Sequence, residues 1–420
     1  MKFIHAADIH LDSPLTGLQK YDGAPVEEIR VASRRAFQNL VELAVSEKAY
    51  FILIAGDLYD GDWKDYNTGL FLSSQMSRLR EEGIKVFIIA GNHDAASQIT
   101  KHLRMPDNVK NLSVKSTETV ILDELGVAIH GRGYYARAII EDLVAGYPQA
   151  LPHYLNIGLL HTSLDGREGH EPYAPTTIQS LLSKGYDYWA LGHVHKREVV
   201  CKEPWVIFPG NIQGRHVREL GPKGCTLVSI DDGHIACTEH RDLDVMRWIV
   251  IFMDARQMSS VEDLREQVSD NLTRAIMENQ GMPLAMRLEI TGPSKVHREL
   301  LADPDHWKNE IRAVATDVSG GTTWIEKIRV NTSDMLDFDS IAAKSDAIGE
   351  LMKSMDDLSN NDSLLQAAVE TLKDLNQRLP HELKTGDDAL NLEDPAIIKN
   401  SVERVRQYVM SRILSKGTEL

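Results

Sequence analysis

The chain has 420 residues, 42% of them hydrophobic and 26% charged, and a net charge of −16. Length predicts two or three domains of an ordinary globular protein; no apolar run approaches the ~18 residues of a membrane helix, and MKFIHAADIH is broken too early by Asp8 and His10 to be a secretory signal, so a cytoplasmic protein with no membrane partner is expected. The acidity argues against tight, unaided binding of duplex DNA, which needs a basic face that displaces counterions, although an Asp-rich site neutralised only by bound cations would account for part of it.

In chain order, Phe3 to Ala7 reads as a short strand ending at Asp8. Glu27 to Glu47 has helical spacing, with Ile29, Phe37, Leu40, Val41 and Ala44 on or near one face. Phe51 to Ala55 is a buried-type strand, Gly69 to Glu82 a helix, and Lys85 to Ala90 again a buried strand. This β-α-β-α-β order implies parallel strands in a layered α/β domain. From Val109 to about His130 the strands are shorter and meander-like. Leu155 to Leu160, Tyr188 to Leu191, Trp205 to Phe208 and Cys225 to Ile230 read as further strands, with a helix near Thr177 to Ser183. A two-sheet core fits this pattern better than one doubly wound sheet.

A second region begins near Asp242. Trp248 to Met253, Leu284 to Ile290 and Trp324 to Val330 read as strands, and Val261 to Met277 as a helix, which makes a small α/β domain. From Asn331 to Leu420 there are 17 Asp/Glu against 10 Lys/Arg, and three helix-like segments follow. The middle one places Leu365, Val369, Leu372, Leu375 and Leu379 on one stripe. The last opens with Asp394-Pro395, a cap and first-turn pair, and carries Ile398, Val402, Val405 and Val409. The expected domains are therefore residues 1–240, 241–332 and 333–420.

The chemistry sits directly after the strands of the first region. Asp8-Ile9-His10 follows the first, Gly56-Asp57-Leu58-Tyr59-Asp60 the second and Gly91-Asn92-His93-Asp94 the third. His161 and Gly192-His193-Val194-His195 follow two later ones. Ligands bind at the carboxyl ends of strands in α/β sheets, so these loops can converge on one edge. Oxygen and imidazole donors without cysteine suit Mn, Fe or Zn with open positions. A shared carboxylate can bridge two ions ~3.5–4 Å apart, activating water and stabilising phosphoryl charge. Cys201, Cys225 and Cys237 form no CxxC pair and read as small buried residues.

The five motifs in this order resemble the calcineurin-like metallophosphoesterase superfamily. HAADIHLDSPL, LIAGDLYD, GNHD and ALGHVH followed by FPGN are similar to DNA repair exonucleases of the SbcD type. LLHTSLDG around His161 departs from the main SbcD group and agrees with the YhaO branch. The resemblance implies a two-sheet αββα sandwich flanked by helices, with a small α/β capping domain and a helical C-terminal tail. It implies two divalent metal ions, manganese first. Asp8, His10, Asp57 and His195 would hold one, and Asp57, Asn92, His161 and His193 the other. His93 would donate a proton to the leaving oxygen, and Asp94 would hydrogen-bond His93. The implied activity is metal-dependent DNA hydrolysis in DNA repair, as a 3′-to-5′ exonuclease with some endonuclease activity. The implied partners are DNA, an SMC-like coiled-coil ATPase of the SbcC/YhaN type and a second copy of the chain.

Two other functions compete: a small-molecule or phosphoprotein phosphatase using the same site, favoured by the acidic charge, and a non-catalytic scaffold for such an ATPase. The tail helices are read equally as a docking segment or as a bundle packed on itself. Asp60 is read equally as a supporting or a solvated acid. Arg215 is read first as a surface arginine, then as a phosphate contact. Tyr134 and Tyr135 are read as packing residues before base-stacking ones. His130, His153, His170 and His216 are read as ordinary surface or core histidines.

Overall fold

Strands β1 (Lys2–Ala6), β2 (Phe51–Ile54) and β3 (Lys85–Ile88) pair in parallel in that order. Each step is made by a crossover helix, α1 (Val26–Ser46) or α2 (Tyr66–Glu81), which returns the chain to the same end of the sheet. The strand β4 (Val109–Asn111) adds in parallel beside β3. On the other side β11 (Gly224–Asp231) and β12 (His234–Asp242) complete a six-stranded sheet of order β12-β11-β1-β2-β3-β4. This computed structural model describes residues 1–13, 26–60, 66–96, 104–165, 173–335, 346–379 and 390–416, so His170 lies outside the described residues.

The second sheet has the order β5-β6-β7-β8-β10-β9. Its strands are β5 (Glu118–Leu122), β6 (Val127–Gly131), β7 (Leu155–His161), β8 (Tyr188–Gly192), β9 (Glu198–Lys202) and β10 (Trp205–Phe208). Strands β6, β7, β8 and β10 run parallel. The meander expected between Val109 and His130 is the place where the chain leaves the first sheet after β4 and enters the second as the antiparallel pair β5–β6.

Side-chain alternation along β1 and β2 builds the layers. Ile4, Ile52 and Ile54 face outward under Phe37, Leu40 and Val41 of α1. Phe3, Phe51 and Leu53 face inward against Ile157, Leu159, Tyr188 and Ile207 of the second sheet. The rings of Phe3 and Phe51 stack at 4.9 Å, with Tyr188 edge-on to Phe3 at 5.4 Å. The far face of the second sheet carries Leu160, Trp189 and Leu191 under Tyr147, Leu181 and Tyr186. Each such buried side chain contributes about 1.5–3 kcal/mol. The result is the expected sandwich of two mixed sheets between helical layers.

By internal contacts the chain forms two units. One is Met1–Ile251 with Leu272–Arg287 and Ala315–Lys327, and the other is Phe252–Asn271, Leu288–Val314 and Ile328–Leu420. A three-stranded sheet takes the order β13 (Arg247–Asp254), β14 (Leu284–Pro293), β15 (Thr323–Ser333). It is accompanied by α5 (Val261–Glu278), α6 (His297–Ala302) and α7 (Pro304–Ser319). The last two helices had no sequence expectation.

The tail forms α8 (Ala347–Asn360), α9 (Asp362–Arg378) and α10 (Pro395–Lys416), which pack on one another. Asp394 caps α10 as expected, accepting from the Ala396 amide at 2.8 Å. Leu365, Val369, Leu392 and Ile398 form the buried cluster. Leu375, expected on the stripe, is 52% exposed. A period of 3.6 puts Asn376 there instead. That buried amide accepts from Leu392 N at 3.1 Å and donates to Glu393 at 3.1 Å. Val405 is also exposed. Of the cysteines only Cys225 is buried, and Cys237 is exposed. Among the described residues no helix is long and apolar enough to cross a membrane.

Candidate metal centre

All seven residues expected to ligate metal sit at or just beyond the carboxyl ends of β1, β2, β3, β7 and β8. The loops after β1 and β2 keep the sheet pairing going past the strands: Asp8 N donates to Gly56 O at 3.1 Å, and His10 N to Asp57 O at 3.0 Å. They then turn through backbone that side chains rarely adopt. Asp8, His10, Asp57 and His193 have φ of 50°, 46°, 53° and 101°. Such residues cost about 1–3 kcal/mol each and persist where function requires the side chain aimed. Gly91 allows a close approach, because a Cβ there would overlap the Asp57 carboxylate.

The donors converge. Asp8, His10 and His195 bring ligand atoms within 4.8 Å of one another, and so do Asp8, Asp57 and His161. Asp57 Oδ2 lies 3.8 Å from His10 Nε2 and 3.5 Å from His161 Nε2, while Oδ1 accepts from His93 N at 2.9 Å. His161 meets Asn92 Oδ1 through Nε2 at 2.9 Å and the Ala55 carbonyl through Nδ1 at 2.9 Å. The backbone N–H of His193 donates to both oxygens of Asp8 at 3.0 and 3.1 Å. The His193 ring stands 5.1 Å from that of His161.

Burial pushes both carboxyls up, with repulsion from Asp57 adding to it at Asp8, which stands well above its ordinary value, and repulsion from Asp60 adding to it at Asp57, which is pushed to about 6. Burial, with Arg215 adding to it, holds His10 well below the imidazole range and therefore neutral. Two buried carboxyls beside the neutral ring of His10 are a donor set that further positive charge would stabilise. Divalent cations fit it: imidazole nitrogen and carboxylate or amide oxygen are the donors Mn, Fe and Zn accept.

His93 differs from the ligand candidates in being 32% exposed and therefore open to a substrate. Its Nδ1 pairs with Asp60 Oδ1 at 2.6 Å. Burial opposes its charge, but the Asp60 hydrogen bond and the charges of Asp57 and Asp60 outweigh that and raise its pKa. The expected Asp94–His93 hydrogen bond is not formed. Asp94 accepts instead from the backbone amides of Leu58, Tyr59 and Gly91 at 3.2, 2.9 and 3.0 Å. It sits one residue into the short helix α3 (Asn92–Ala96) and joins the loops after β2 and β3.

Three further residues complete the site. Asp60 also accepts from Ser13 Oγ at 2.5 Å. Burial would raise its pKa, but the hydrogen bonds from its histidine and serine neighbours hold it well below the carboxylate range. Arg215, expected at the surface, is 16% exposed and lies between Asp60 at 3.6 Å and Glu219 at 3.1 Å. Glu219, which drew no attention in the sequence, takes His195 Nδ1 at 2.7 Å. A sequence signal existed in Arg215-x-x-x-Glu219, an i,i+4 pair directly after FPGN. Tyr134 is buried with its ring edge-on to His161 at 5.3 Å, and Tyr135 is exposed. His130 is a core histidine bonded to Thr119 and Asn156, and His153 is exposed. His216 lies at the margin, with Nε2 3.5 Å from Glu219.

Comparison with known proteins decides the family. The profile of the calcineurin-like phosphoesterases matches residues 1–197, and that of the middle domain of metallophosphoesterase YhaO matches residues 248–333. The metallophosphoesterase YhaO of Bacillus subtilis is 38% identical over 296 residues, 70% of this chain and 72% of that protein. The chain belongs to the calcineurin-like metallophosphoesterases. This metallophosphoesterase is accordingly a phosphoester hydrolase of a family that uses divalent metal ions, and its clustered donors are the candidates for holding them. It is also similar to two archaeal proteins named DNA double-strand break repair protein Mre11. That of Methanopyrus kandleri is 25% identical over 76% of this chain and 72% of its own length. That of Sulfurisphaera tokodaii is 26% identical over 59% and 67%.

Proposed function

We propose that this metallophosphoesterase is a manganese-dependent DNA nuclease, a 3′-to-5′ exonuclease with some endonuclease activity, acting in DNA repair. The observation that carries the reading is the convergence of five strand ends from two sheets around Asp57. In this reading Asp8, His10, Asp57 and His195 would hold one cation and Asp57, Asn92, His161 and His193 the second, with Asp57 common to both sets. Cations bound there neutralise phosphoryl charge and make water a competent nucleophile near neutral pH.

The chain's own groups do the rest. Asp60 accepts the hydrogen bond of His93 Nδ1–H and stays ionised, which leaves Nε2–H to deliver a proton to the departing oxygen. Asp94 is a positioning residue: by gathering three amides it keeps the loops that carry Asp57, Asn92 and His93 in one arrangement. DNA as substrate is supported by the similarity to archaeal proteins named for double-strand break repair. Residues 1–240 form the nuclease domain, 241–332 a cap that steers the strand or end entering, and 333–420 the segment that docks an SMC-like coiled-coil ATPase. Leu364, Leu375, Val405 and Tyr408, exposed on the tail helices, suit such docking, and the chain works as a homodimer in the cytoplasm.

The net charge of −16 favours a second reading, a phosphatase for small molecules or phosphoproteins. One parallel assay separates the two. End-labelled single- and double-stranded DNA, a small phosphodiester and a small phosphomonoester are incubated with the purified chain in Mn²⁺, Mg²⁺ or EDTA. The nuclease reading expects Mn²⁺-dependent shortening of DNA that Asp57→Ala abolishes. Turnover of the small esters with DNA left intact would sink it.

A further inference from the structure

We propose that Glu219 is a positioning residue of this centre: it fixes the proton of His195 on Nδ1 and so presents Nε2, unprotonated, to the cation site. The inference rests on the reading of the strand-end cluster as a metal centre, and its first test needs neither metal nor substrate.

The Nδ1 of His195 has Arg215 Nη2 at 3.3 Å, but a closer neighbour decides where the proton lies on His195. Its Nδ1 lies 2.7 Å from Glu219 Oε1. A carboxylate oxygen and a bare imidazole lone pair repel at that distance, so the proton must lie between them. The opposite ring nitrogen then carries a lone pair. It is this Nε2 that meets His10 Nε2 at 3.3 Å and joins Asp8 and His10 in one group of converging ligand atoms. Imidazole alone in water favours the other tautomer, with the proton on Nε2. Without Glu219 the inward nitrogen would therefore more often carry a hydrogen and be unable to ligate. A partner on the remote nitrogen is the general device by which histidine ligands are oriented and made more basic.

The carboxylate is itself held too firmly to be an incidental neighbour. Glu219 is 4% exposed. Oε1 also accepts from Arg215 Nη2 at 3.1 Å. Oε2 accepts from Asn211 Nδ2 at 2.9 Å and from the Arg215 backbone N–H at 2.8 Å. Four donors thus surround two oxygens and leave the side chain one orientation. Lys223 Nζ donates to the His195 carbonyl at 3.0 Å, which pins the backbone of the same residue. Arg215 also approaches Asp60, the partner of His93, at 3.6 Å. One guanidinium thereby stands between the carboxylate that holds the ligand histidine and the carboxylate that holds the proton donor.

The test is two-bond ¹H–¹⁵N correlation spectroscopy of the histidine side chains in the metal-free protein, with the His195 signals assigned by their loss in His195→Gln. Wild type is expected to show the Nδ1-protonated tautomer, and Glu219→Ala a mixture rich in the Nε2-protonated form. Glu219→Gln keeps the side-chain volume but offers one acceptor oxygen to four donors, so it should lie between, and it serves if Glu219→Ala does not fold. In calorimetric titration with Mn²⁺, Glu219→Ala should weaken binding about 10–100-fold, and Glu219→Gln less. Failure of DNA cleavage in wild type would overturn the nuclease reading and leave this inference standing. An unchanged tautomer and unchanged Mn²⁺ affinity in both variants would overturn the inference.

Discussion

At the scale of single residues, the proposed mechanism assigns the holding of cations and the movement of a proton to different groups. His93 is bonded to a carboxylate outside the proposed ligand set and is partly exposed. His93→Asn is therefore expected to keep both metals and lose turnover by about 10²–10⁴-fold, the usual worth of a general acid. Metal content by mass spectrometry beside a turnover assay checks this, and a mutant that loses metal would assign His93 to the ligands instead. Asp60→Asn should lower turnover with metal content unchanged, because the amide cannot hold a charged imidazole as a carboxylate does.

The clustering of the proposed ligands was legible in the sequence because each follows its strand within a few positions, and strand ends are where α/β sheets gather ligands. The supporting residues were not. Asp60 meets His93, and Glu219 meets His195, across 33 and 24 residues of chain, a pairing that only the fold creates. Asp94 was assigned to the wrong partner for the same reason. Adjacency in GNHD suggested His93, whereas the short helix turns its carboxylate back toward the loop after β2.

At the scale of elements, the site depends on how the β1 loop is tied down. Asp12, buried and at φ 55°, accepts from Arg34 on α1 at 2.7 Å and from Thr68 on α2 at 2.5 Å. It thereby joins the loop that carries Asp8 and His10 to both crossover helices. Asp12→Ala removes the acceptor that the Arg34 guanidinium and the buried Thr68 hydroxyl share, and a loss of about 2–3 kcal/mol is expected. Chemical denaturation checks the figure, and an unchanged midpoint would show that the loop is held by its backbone pairing alone. Strong apolar periodicity made α1, α2 and the strands β1 to β3 readable within one to three residues. The helix α7 was missed, and the change of sheets after β4 was mistaken for a meander. A strand of three residues such as β4 carries too little pattern to say which sheet it joins. In the tail, Leu375 was placed on the stripe by its hydrophobicity, whereas the period of the helix gives that place to Asn376, whose amide is satisfied by the incoming segment before α10.

At the scale of the molecule, the proposed ligands come from both sheets. The first contributes the loops after β1, β2 and β3, and the second contributes His161, His193 and His195. The inner core of Phe3, Phe51, Leu159 and Tyr188 fixes their registration, so the cost of the left-handed turns and of two repelling carboxylates is carried by burial elsewhere. The arrangement is rational if cations neutralise it, and that is the central claim. Calorimetric titration of the metal-free protein with Mn²⁺, in wild type and in Asp57→Ala, tests it most directly. Two ions per chain are predicted for wild type, and loss of the shared carboxylate is predicted to weaken both. A protein that takes up no Mn²⁺, or binds it equally well without Asp57, would contradict the account.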